Sequence, residues 1–391
     1  MSAAAPVAKP APARWVGLDA LRGLSIAAMI LVNNPGAWGE RYQYAPLRHA
    51  AWHGCTFTDL VFPTFLFCAG VAIVPALSKK RAAGLPLAPL LEGIGRRVVL
   101  LVLFGLLLSA FPLLTFAGDD LLAPLWRTRF PGVLQRIGVC YGVAAVLFLL
   151  VKERTLTAIT WACLLGYWAL ITLVPVPGVG APDLAGPLTT LQGYVDRAVF
   201  GRHIYVKDQY DPEGLLSTIP AVATCLFGVA AGLVLQREPS PQRRFAGLAW
   251  RGAALMLLGH AWSHLLPFNK PLWTSSYTVW TAGIATVALG VLASVFEAPG
   301  RERFAHPLRV YGTNALLVFV GSGMLARVVG RLWTVGEGDQ ALSAQQWFFR
   351  HALLEPIGDP RLASLAYSVS WMLGWYLVLL VLFRRGIVWR V

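Results

Sequence analysis

The chain has 391 residues, a net charge of +14 and a mean hydropathy of +0.60. Hydrophobic residues make up 57% of it and charged residues only 13%, which excludes an ordinary soluble domain and indicates a protein of the lipid bilayer. Fifteen Trp and eleven Tyr residues agree with this, because amphipathic rings collect at membrane interfaces. We predict an all-α fold, a polytopic bundle of membrane helices.

Ten apolar stretches are long enough to cross the roughly 30 Å hydrocarbon core of a bilayer as helices. In chain order they cover residues 16–34, 56–78, 94–116, 131–151, 155–175, 214–236, 245–266, 272–295, 308–330 and 364–384. The segment QQWFFRHALLEPI, residues 345–357, carries three charged or titratable side chains, which favours an interfacial helix over an eleventh span. The Ala- and Pro-rich residues 1–14 predict a disordered cytoplasmic tail.

The distribution of Lys and Arg sets the predicted orientation. With the N-terminus inside, the cytoplasmic segments hold more than half of the 33 basic residues, whereas the outer segments have nearly equal numbers of acids and bases. This bias accounts for the net charge without a nucleic-acid partner. We therefore expect both termini in the cytoplasm and the long loops 176–213 and 331–363 outside.

Six charged residues fall inside the predicted spans, where each costs at least about 2.5 kcal/mol on insertion. They are Asp19, Arg22, Asp59, Arg136, Arg251 and Arg327. Asp19 and Arg22 are three residues apart, which predicts a local ion pair. Asp59 and Arg136 lie near the outer ends of their helices, where they can pair with each other or line a water-filled cavity. Snorkelling or pairing within the bundle is the simpler reading of Arg251 and Arg327.

Further polar side chains collect at the same outer ends. They include Asn33, Asn34, His49, His53, Gln135, Asp211, Glu213, His260, His264 and the turn PFNKPLW at 267–273. A histidine oriented by a carboxylate or amide is the simplest general base near neutral pH, so His49 with Asp59 or Asn33 is a candidate catalytic set. The spacing alone is weakly specific, since histidines also cap helices and bind interfacial water. We predict no metal site, because His260 and His264 lack a third ligand, and no disulfide.

Six segments, in order, carry a resemblance to a known family. They are GLDALRGLSIAAMILVNNPG, RHAAWHGCTFTDLVFPTFLFCAG, FPGVLQRIGVCYG, YDPEGLLSTIPAVATCLFGVAAG, LPFNKPLWTSSYTVWTAG and VYGTNALLVFVG. Together they resemble the membrane core of the heparan-α-glucosaminide N-acetyltransferase family, specifically its bacterial homologues, over residues 15–384. The resemblance implies that residues 15–391 form a single transmembrane acyltransferase domain. It would move an acetyl group from cytosolic acetyl-CoA to the amino group of a glucosamine-type sugar outside a bacterial inner membrane.

The resemblance also assigns catalytic roles. The family's active-site histidine lies in the segment matching HAAWHG, which gives the role to His49, and an asparagine of the LVNN segment carries over onto Asn33. His53 stands where the family commonly has asparagine. Asp59 is the candidate to orient His49 or to neutralise Arg136. An acetyl-histidine intermediate and direct transfer both remain open.

The donor should bind at the basic cytoplasmic face, because CoA carries several phosphates. The candidate contacts for the phosphates and the pantetheine amides are Lys79, Lys80, Arg96, Arg97, Arg243, Arg244 and Asn314. At the outer end, the candidate substrate contacts are Gln135, Arg136, Asp211, Glu213, His264, Asn269, Lys270 and Trp273. The expected partners are an amino-sugar substrate and membrane lipids, with a homodimer left open. The rival functions are a secondary transporter of amino sugars and an O-acyltransferase of an envelope glycan.

Overall fold

The computed structural model describes residues 15–113, 122–238, 240–336 and 341–389. The predicted tail at 1–14 therefore lies outside the described residues. Helices account for almost all of the regular structure in the described ranges, which confirms the all-α, polytopic class.

The long helices are α1 Val16–Asn33, α2 Phe57–Ala82, α3 Leu87–Ala110, α5 Val133–Leu150, α6 Glu153–Leu173, α8 Thr218–Arg237, α9 Pro241–Ser263, α10 Ser275–Phe296, α12 Ala315–Arg327 and α15 Pro360–Arg384. The shorter ones are α4 Ala123–Trp126, α7 Leu191–Phe200, α11 His306–Thr313, α13 Ala344–Phe348 and α14 Glu355–Ile357. Turns of 3₁₀ helix lie at Ala45–Leu47, Pro187–Thr189 and Glu302–Ala305, and π-helical turns at Val328–Leu332 and Phe349–Leu354. A small antiparallel hairpin joins β1 Thr334–Val335 to β2 Leu342–Ser343.

Nine helices of the described chain are long and apolar enough to cross a membrane. The seventh predicted span, 245–266, corresponds to α9, which has the length but is not among the nine, because its Arg residues and His260 lower its mean hydropathy. It packs along α10 at glycines such as Gly252, where an added Cβ would meet the carbonyl oxygen of Gly283. Residues 345–357 are helical but do not form a span, as predicted.

Two predicted boundaries differ from the structure. The third span begins at Leu87 and ends at Ala110, several residues earlier than predicted at both ends. The predicted ninth span, 308–330, is divided at Asn314, whose backbone leaves the helical conformation between α11 and α12. Both amide atoms of Asn314 bond the C-terminal segment, to the carbonyl of Ile387 and the N–H of Trp389.

Helix α2 lies at the centre of the bundle and contacts α1, α5, α8 and α10. Its closest neighbour is α8. An added Cβ at Gly70 would overlap the carbonyl oxygen of Cys225, and one at Gly228 would overlap that of Phe67. The two backbones therefore touch, and the surrounding core is filled by fully buried side chains such as Phe67 and Leu66.

The intramembrane charges have mostly local partners. Arg22 Nη2 lies 2.9 Å from Asp19 Oδ1, which confirms the predicted pair. Arg251 donates to the carbonyl of Gly247 in its own helix, and Arg327 donates likewise to Gly323. All five cysteines are free thiols, as predicted.

The helix ends form two polar layers at opposite ends of the bundle. At one end, Arg244 pairs with Glu297 at 3.1 Å, Arg237 pairs with Glu153, and Arg81 donates to the carbonyl of Val151. The segments 34–56, 122–132, 201–217 and 264–274 meet at the other end. The structure therefore groups the segments as the alternation of apolar runs predicts.

Candidate active site

Three side chains from distant segments meet at the second polar layer. His49 Nδ1 lies 2.6 Å from Asp59 Oδ1, while Lys270 Nζ lies 3.1 Å from His49 Nδ1 and 3.4 Å from His49 Nε2. Lys270 Nζ is also 3.8 Å from Asp59 Oδ1. The Asp59 side chain is 1% exposed, that of Lys270 16% and that of His49 49%. In this cluster a buried carboxylate contacts an imidazole that faces solvent.

Asp59 is fixed by the start of α2. It occupies the third position of the helix in a capping box with Thr56, so its Oδ2 accepts from the backbone N–H and the hydroxyl of Thr56 at 3.0 Å each. The backbone N–H of Ala50 donates to the same oxygen at 3.0 Å, and the Tyr277 hydroxyl donates to the Asp59 carbonyl. Oδ1 is left for His49. With a carboxylate accepting at Nδ1, the proton sits on Nδ1 and the lone pair on Nε2.

Lys270 is presented by a tight turn between α9 and α10. The backbone N–H of Trp273 donates to the carbonyl of Lys270 at 3.0 Å, and Trp273 has a positive φ of 52°, which is uncommon for a bulky residue. Gln192 donates to the carbonyl of Pro271 at 2.9 Å, and the buried Tyr167 hydroxyl donates to that of Leu272. Contacts on several sides therefore hold the turn in a strained conformation.

The loop that carries His49 is tied to the same turn. The backbone N–H of Gly54 donates to the carbonyl of Phe268 at 2.7 Å. Asn269 Nδ2 lies 3.4 Å from His53 Nδ1, and its Oδ1 accepts from the N–H of Leu272 at 2.7 Å. Asn269 and His53 thus link the two loops without touching Asp59.

A second charged group lies beside the first. Arg129 forms ion pairs with both Asp211 and Glu213, whose side chains are buried. Asp196 on α7 accepts from the backbone N–H groups of Asp211 at 3.1 Å and Leu215 at 3.0 Å. These contacts fix the DPEG segment ahead of α8.

Arg136 lies buried between this group and the turn. It donates to the carbonyl of Gly214 at 3.0 Å and to the Ser217 hydroxyl, and its guanidinium stacks over the Trp273 ring at 5.1 Å. Of the two partners that the sequence left open for Asp59, the structure shows His49 and not Arg136: the polar contacts of the Asp59 carboxylate go to the His49 and Lys270 side chains and to the capping groups at the start of α2.

The loop groups have perturbed pKa values. Burial lowers the pKa of the Lys270 ammonium below its ordinary value, against the opposing effect of Asp59 and Glu213. Burial disfavours the ionised form of Glu213, but Arg129, Arg136 and Lys270 outweigh it and lower its pKa. At Asp196 the effect of burial outweighs that of the backbone hydrogen bonds from Asp211 and Leu215 and raises the pKa to about 6.

Three other predicted residues lie apart from the cluster. Asn33 ends α1 with an exposed side chain that makes no recorded hydrogen bond within the described ranges. Gln135 turns towards the start of its own helix and donates to the carbonyl of Phe130 at 3.1 Å. His264, exposed at the end of α9, packs edge-on against His260 with ring centres 5.3 Å apart.

Lys79, Lys80, Arg243 and Arg244 lie in the opposite layer, whereas Arg96 and Arg97 lie well inside α3, which begins at Leu87. Lys79, Lys80, Arg96 and Arg243 are exposed and have no ion-pair partner among the described residues. The other two cations are engaged: Arg97 stacks over Tyr141 at 4.5 Å, and Arg244 pairs with Glu297. With Asn314 bonded to the C-terminal segment, the free cations suit phosphate groups best.

The sequence interpretation missed Arg129 and the supporting pair Gln192 and Tyr167. Arg129 had a signal, since the segment RTRF precedes a predicted span in the same outer layer as the acidic DPEG segment. Gln192 and Tyr167 had none, because each acts through a backbone carbonyl of a turn distant in sequence.

The arrangement suits proton transfer and acyl chemistry. An imidazole held by a buried carboxylate can take a proton from a nucleophile or act as a nucleophile itself. A neighbouring ammonium adds positive charge, of the kind that stabilises an oxyanion.

Comparison with known proteins supports this chemistry. The family model for heparan-alpha-glucosaminide N-acetyltransferase, catalytic, matches residues 14–238, which include His49 and Asp59. The human heparan-alpha-glucosaminide N-acetyltransferase is 28% identical over 438 residues, covering 97% of this chain, and the mouse protein is 28% identical over 428 residues, covering 96%. In both cases the chain spans 60% of the relative's length.

Proposed function

The chain belongs to the catalytic family of heparan-α-glucosaminide N-acetyltransferase, and on that premise we propose that it carries an acetyl group across a membrane, from acetyl-CoA to the amino group of a glucosamine-type sugar. The observation that carries the proposal is the contact of His49 with the buried Asp59 inside the matched region. The chain covers only part of the named relatives, so donor, acceptor and sidedness are all proposed for this chain.

In the proposed reaction His49 acts through Nε2. A sugar amine is nucleophilic only when it is deprotonated, so an imidazole beside it either removes the proton as the amine attacks the thioester or first accepts the acetyl group itself. Asp59 holds Nδ1 protonated and stabilises the imidazolium that forms. Neither route needs a metal ion.

We place the donor at the opposite layer. A CoA nucleotide is too highly charged to enter hydrocarbon, and exposed Lys79, Lys80 and Arg243 offer it cations there that have no ion-pair partner among the described residues. The pantetheine arm would then extend into the bundle towards His49. The excess of Lys and Arg at this layer supports its assignment to the cytoplasmic side of a bacterial inner membrane.

Purified protein supplied with acetyl-CoA and glucosamine tests the proposal. Release of free CoA together with N-acetylglucosamine is expected, and its absence, together with uptake of the sugar into proteoliposomes, would identify a transporter instead. Parallel assays with amine acceptors and with hydroxyl acceptors separate N-transfer from O-transfer. Proteoliposomes with acetyl-CoA on one side and the sugar on the other test the sidedness.

A further inference from the structure

We propose that the ammonium group of Lys270 stabilises the oxyanion of the transferred acetyl group. The proposal rests on the proposed acetyl transfer and adds a catalytic group that acts on the acyl oxygen. It starts from an unusual position: Lys270 Nζ is nearly equidistant from the two ring nitrogens of His49, at 3.1 and 3.4 Å.

That position places the ammonium over the face of the imidazole. A cation in the ring plane could not lie this close to both nitrogens without overlapping the carbon atom between them. Lys270 is therefore not an in-line hydrogen-bond partner of either nitrogen, and the lone pair of Nε2 stays available to a substrate. A carbonyl carbon that approaches Nε2 would bring its oxygen within reach of Nζ.

Asp59 is only a long-range ion-pair partner of the ammonium. The distance of 3.8 Å between Nζ and Oδ1 is longer than the roughly 2.7–2.9 Å of a charge-assisted hydrogen bond, and Asp59 Oδ1 is already shared with His49 at 2.6 Å. The ammonium thus keeps donors for a ligand. Its burial also makes its charge count for more than it would in water.

The turn holds this charge in place before any substrate arrives. Fully buried Trp273 anchors the turn through a bond from its ring N–H to Thr224 at 3.1 Å, while Gln192 and Tyr167 bind the carbonyls of the two residues that follow Lys270. Charge that is fixed in advance costs no reorganisation in the transition state. Asn33, the other catalytic candidate of the sequence with a side chain able to donate to an oxyanion, is exposed and has no such support.

The step balances as follows. The sugar nitrogen forms a bond to the thioester carbon, the carbonyl π pair moves to oxygen, and His49 Nε2 takes the proton of the attacking amine. The oxyanion binds the Lys270 ammonium, which keeps its proton. When the oxyanion collapses, the C–S bond breaks, and the CoA thiolate leaves with the proton returned by His49, so the products are an amide and a thiol.

Three variants test the proposal, with acetyl-CoA and glucosamine as substrates. Lys270→Gln should lower kcat by about 10²–10³-fold with little change in the KM for acetyl-CoA, since it removes a contact made in the transition state. Lys270→Arg should recover part of that loss. Because Arg keeps its charge at higher pH, it should also move the alkaline decline of kcat upward.

Chemical modification of a third variant separates the effect of the Lys270 charge on kcat from the effect of its shape. Lys270→Cys treated with 2-bromoethylamine regains an ammonium at the original position, whereas treatment with iodoacetamide leaves a neutral side chain of similar bulk. Wild-type protein treated with each reagent controls for the five native cysteines, and mass spectrometry follows modification. Recovery of kcat with bromoethylamine alone is expected.

The outcomes separate the two proposals. If the wild type acetylates no amine, the proposed function fails. If the wild type is active and Lys270→Gln keeps its kcat, or if both reagents restore the cysteine variant equally, the oxyanion role is overturned.

Discussion

The Nδ1 atom of His49 lies 2.6 Å from Oδ1 of Asp59, which faces it from the first turn of the following helix. Ten residues separate them, and the backbone N–H of Ala50, next to His49, binds the other carboxylate oxygen at 3.0 Å. Asp59 thus forms hydrogen bonds both with the imidazole and with the backbone of the loop that carries it. The predictions about the reaction begin from this contact.

Replacement of His49 by Ala should abolish acetyl transfer, with a loss of about 10²–10⁴-fold or more in kcat, because it removes the base that the proposed reaction places beside the amine. Half of the side chain is exposed, so folding should be unaffected. The measurement is CoA release, with thermal stability as a check. His53→Ala is the matched control and should retain transfer, since His53 contacts Asn269 and not Asp59. Equal activity of the two variants would remove His49 from the mechanism.

Asp59→Asn should also lower kcat strongly. An amide can present N–H to Nδ1, which favours the tautomer with its proton on Nε2, and the loss of negative charge destabilises the imidazolium. Steady-state kinetics measure the effect, and binding of CoA should not change. Glu40→Gln, an exposed carboxamide substitution in the same loop, should leave kcat near the wild-type value. A wild-type kcat for Asp59→Asn would contradict the orienting role.

Arg129→Gln should destabilise the fold. It would leave the buried carboxylates of Asp211 and Glu213 without their shared cation, and loss of one partner of a buried ion pair costs about 3–5 kcal/mol. Thermal unfolding in detergent measures the change. Arg127→Gln, at an exposed position two residues away, serves as the control and should cause a much smaller shift. Equal shifts for both variants would mean that the pairs contribute no net stability.

Asp196 should give the fold a pH dependence between about pH 4 and 6. Burial raises its folded-state pKa to about 6, above that of an unfolded Asp, so its contribution to stability is complete below about pH 4 and is lost as the pH rises through 6. Asp196→Asn removes this titration. Unfolding temperatures measured from pH 4 to 7 should therefore diverge between wild type and variant. Parallel curves would show that Asp196 does not titrate in this range.

Arg96→Glu should raise the KM for acetyl-CoA without changing the KM for the sugar, because Arg96 is an exposed cation in the half of α3 nearer the opposite layer, with no ion-pair partner among the described residues. We choose Arg96 over Arg97, whose guanidinium is stacked on Tyr141, so that folding is not disturbed. The control is Arg202→Glu, an exposed charge reversal at the other layer. If the two variants raise the acetyl-CoA KM equally, the nucleotide does not bind near Arg96.

The sequence was sufficient for most of the fold because the bilayer imposes a length and a composition on each span. It was less informative where composition is mixed. Helix α9 is long enough to cross a membrane, but its arginines lower its mean hydropathy. The break at Asn314 depends on amide contacts with the distant residues 387 and 389. Such contacts leave no local pattern.

The site was predictable to a similar extent. His49 and Asp59 lie close together in sequence, so a helix start between them already suggested contact. The placement of Lys270 over the imidazole joins residues 221 positions apart and depends on a strained turn, which no spacing rule describes. Of the two partners left open for Asp59, His49 is the one in the structure, whereas Arg136 bonds the carbonyl of Gly214 and the hydroxyl of Ser217.

The touching backbones of α2 and α8 also limit how the protein can move. Gly70 and Gly228 leave no gap between these helices, so we expect the pair to move as one rigid body. Asp59 heads one of them, and the other follows the segment that binds Arg136. Trp273 ties the turn bearing Lys270 to Thr224 of α8, so this turn belongs to the same body. A bundle that opens to admit a sugar would then move other helices past a carboxylate, an imidazole and an ammonium whose mutual positions stay fixed.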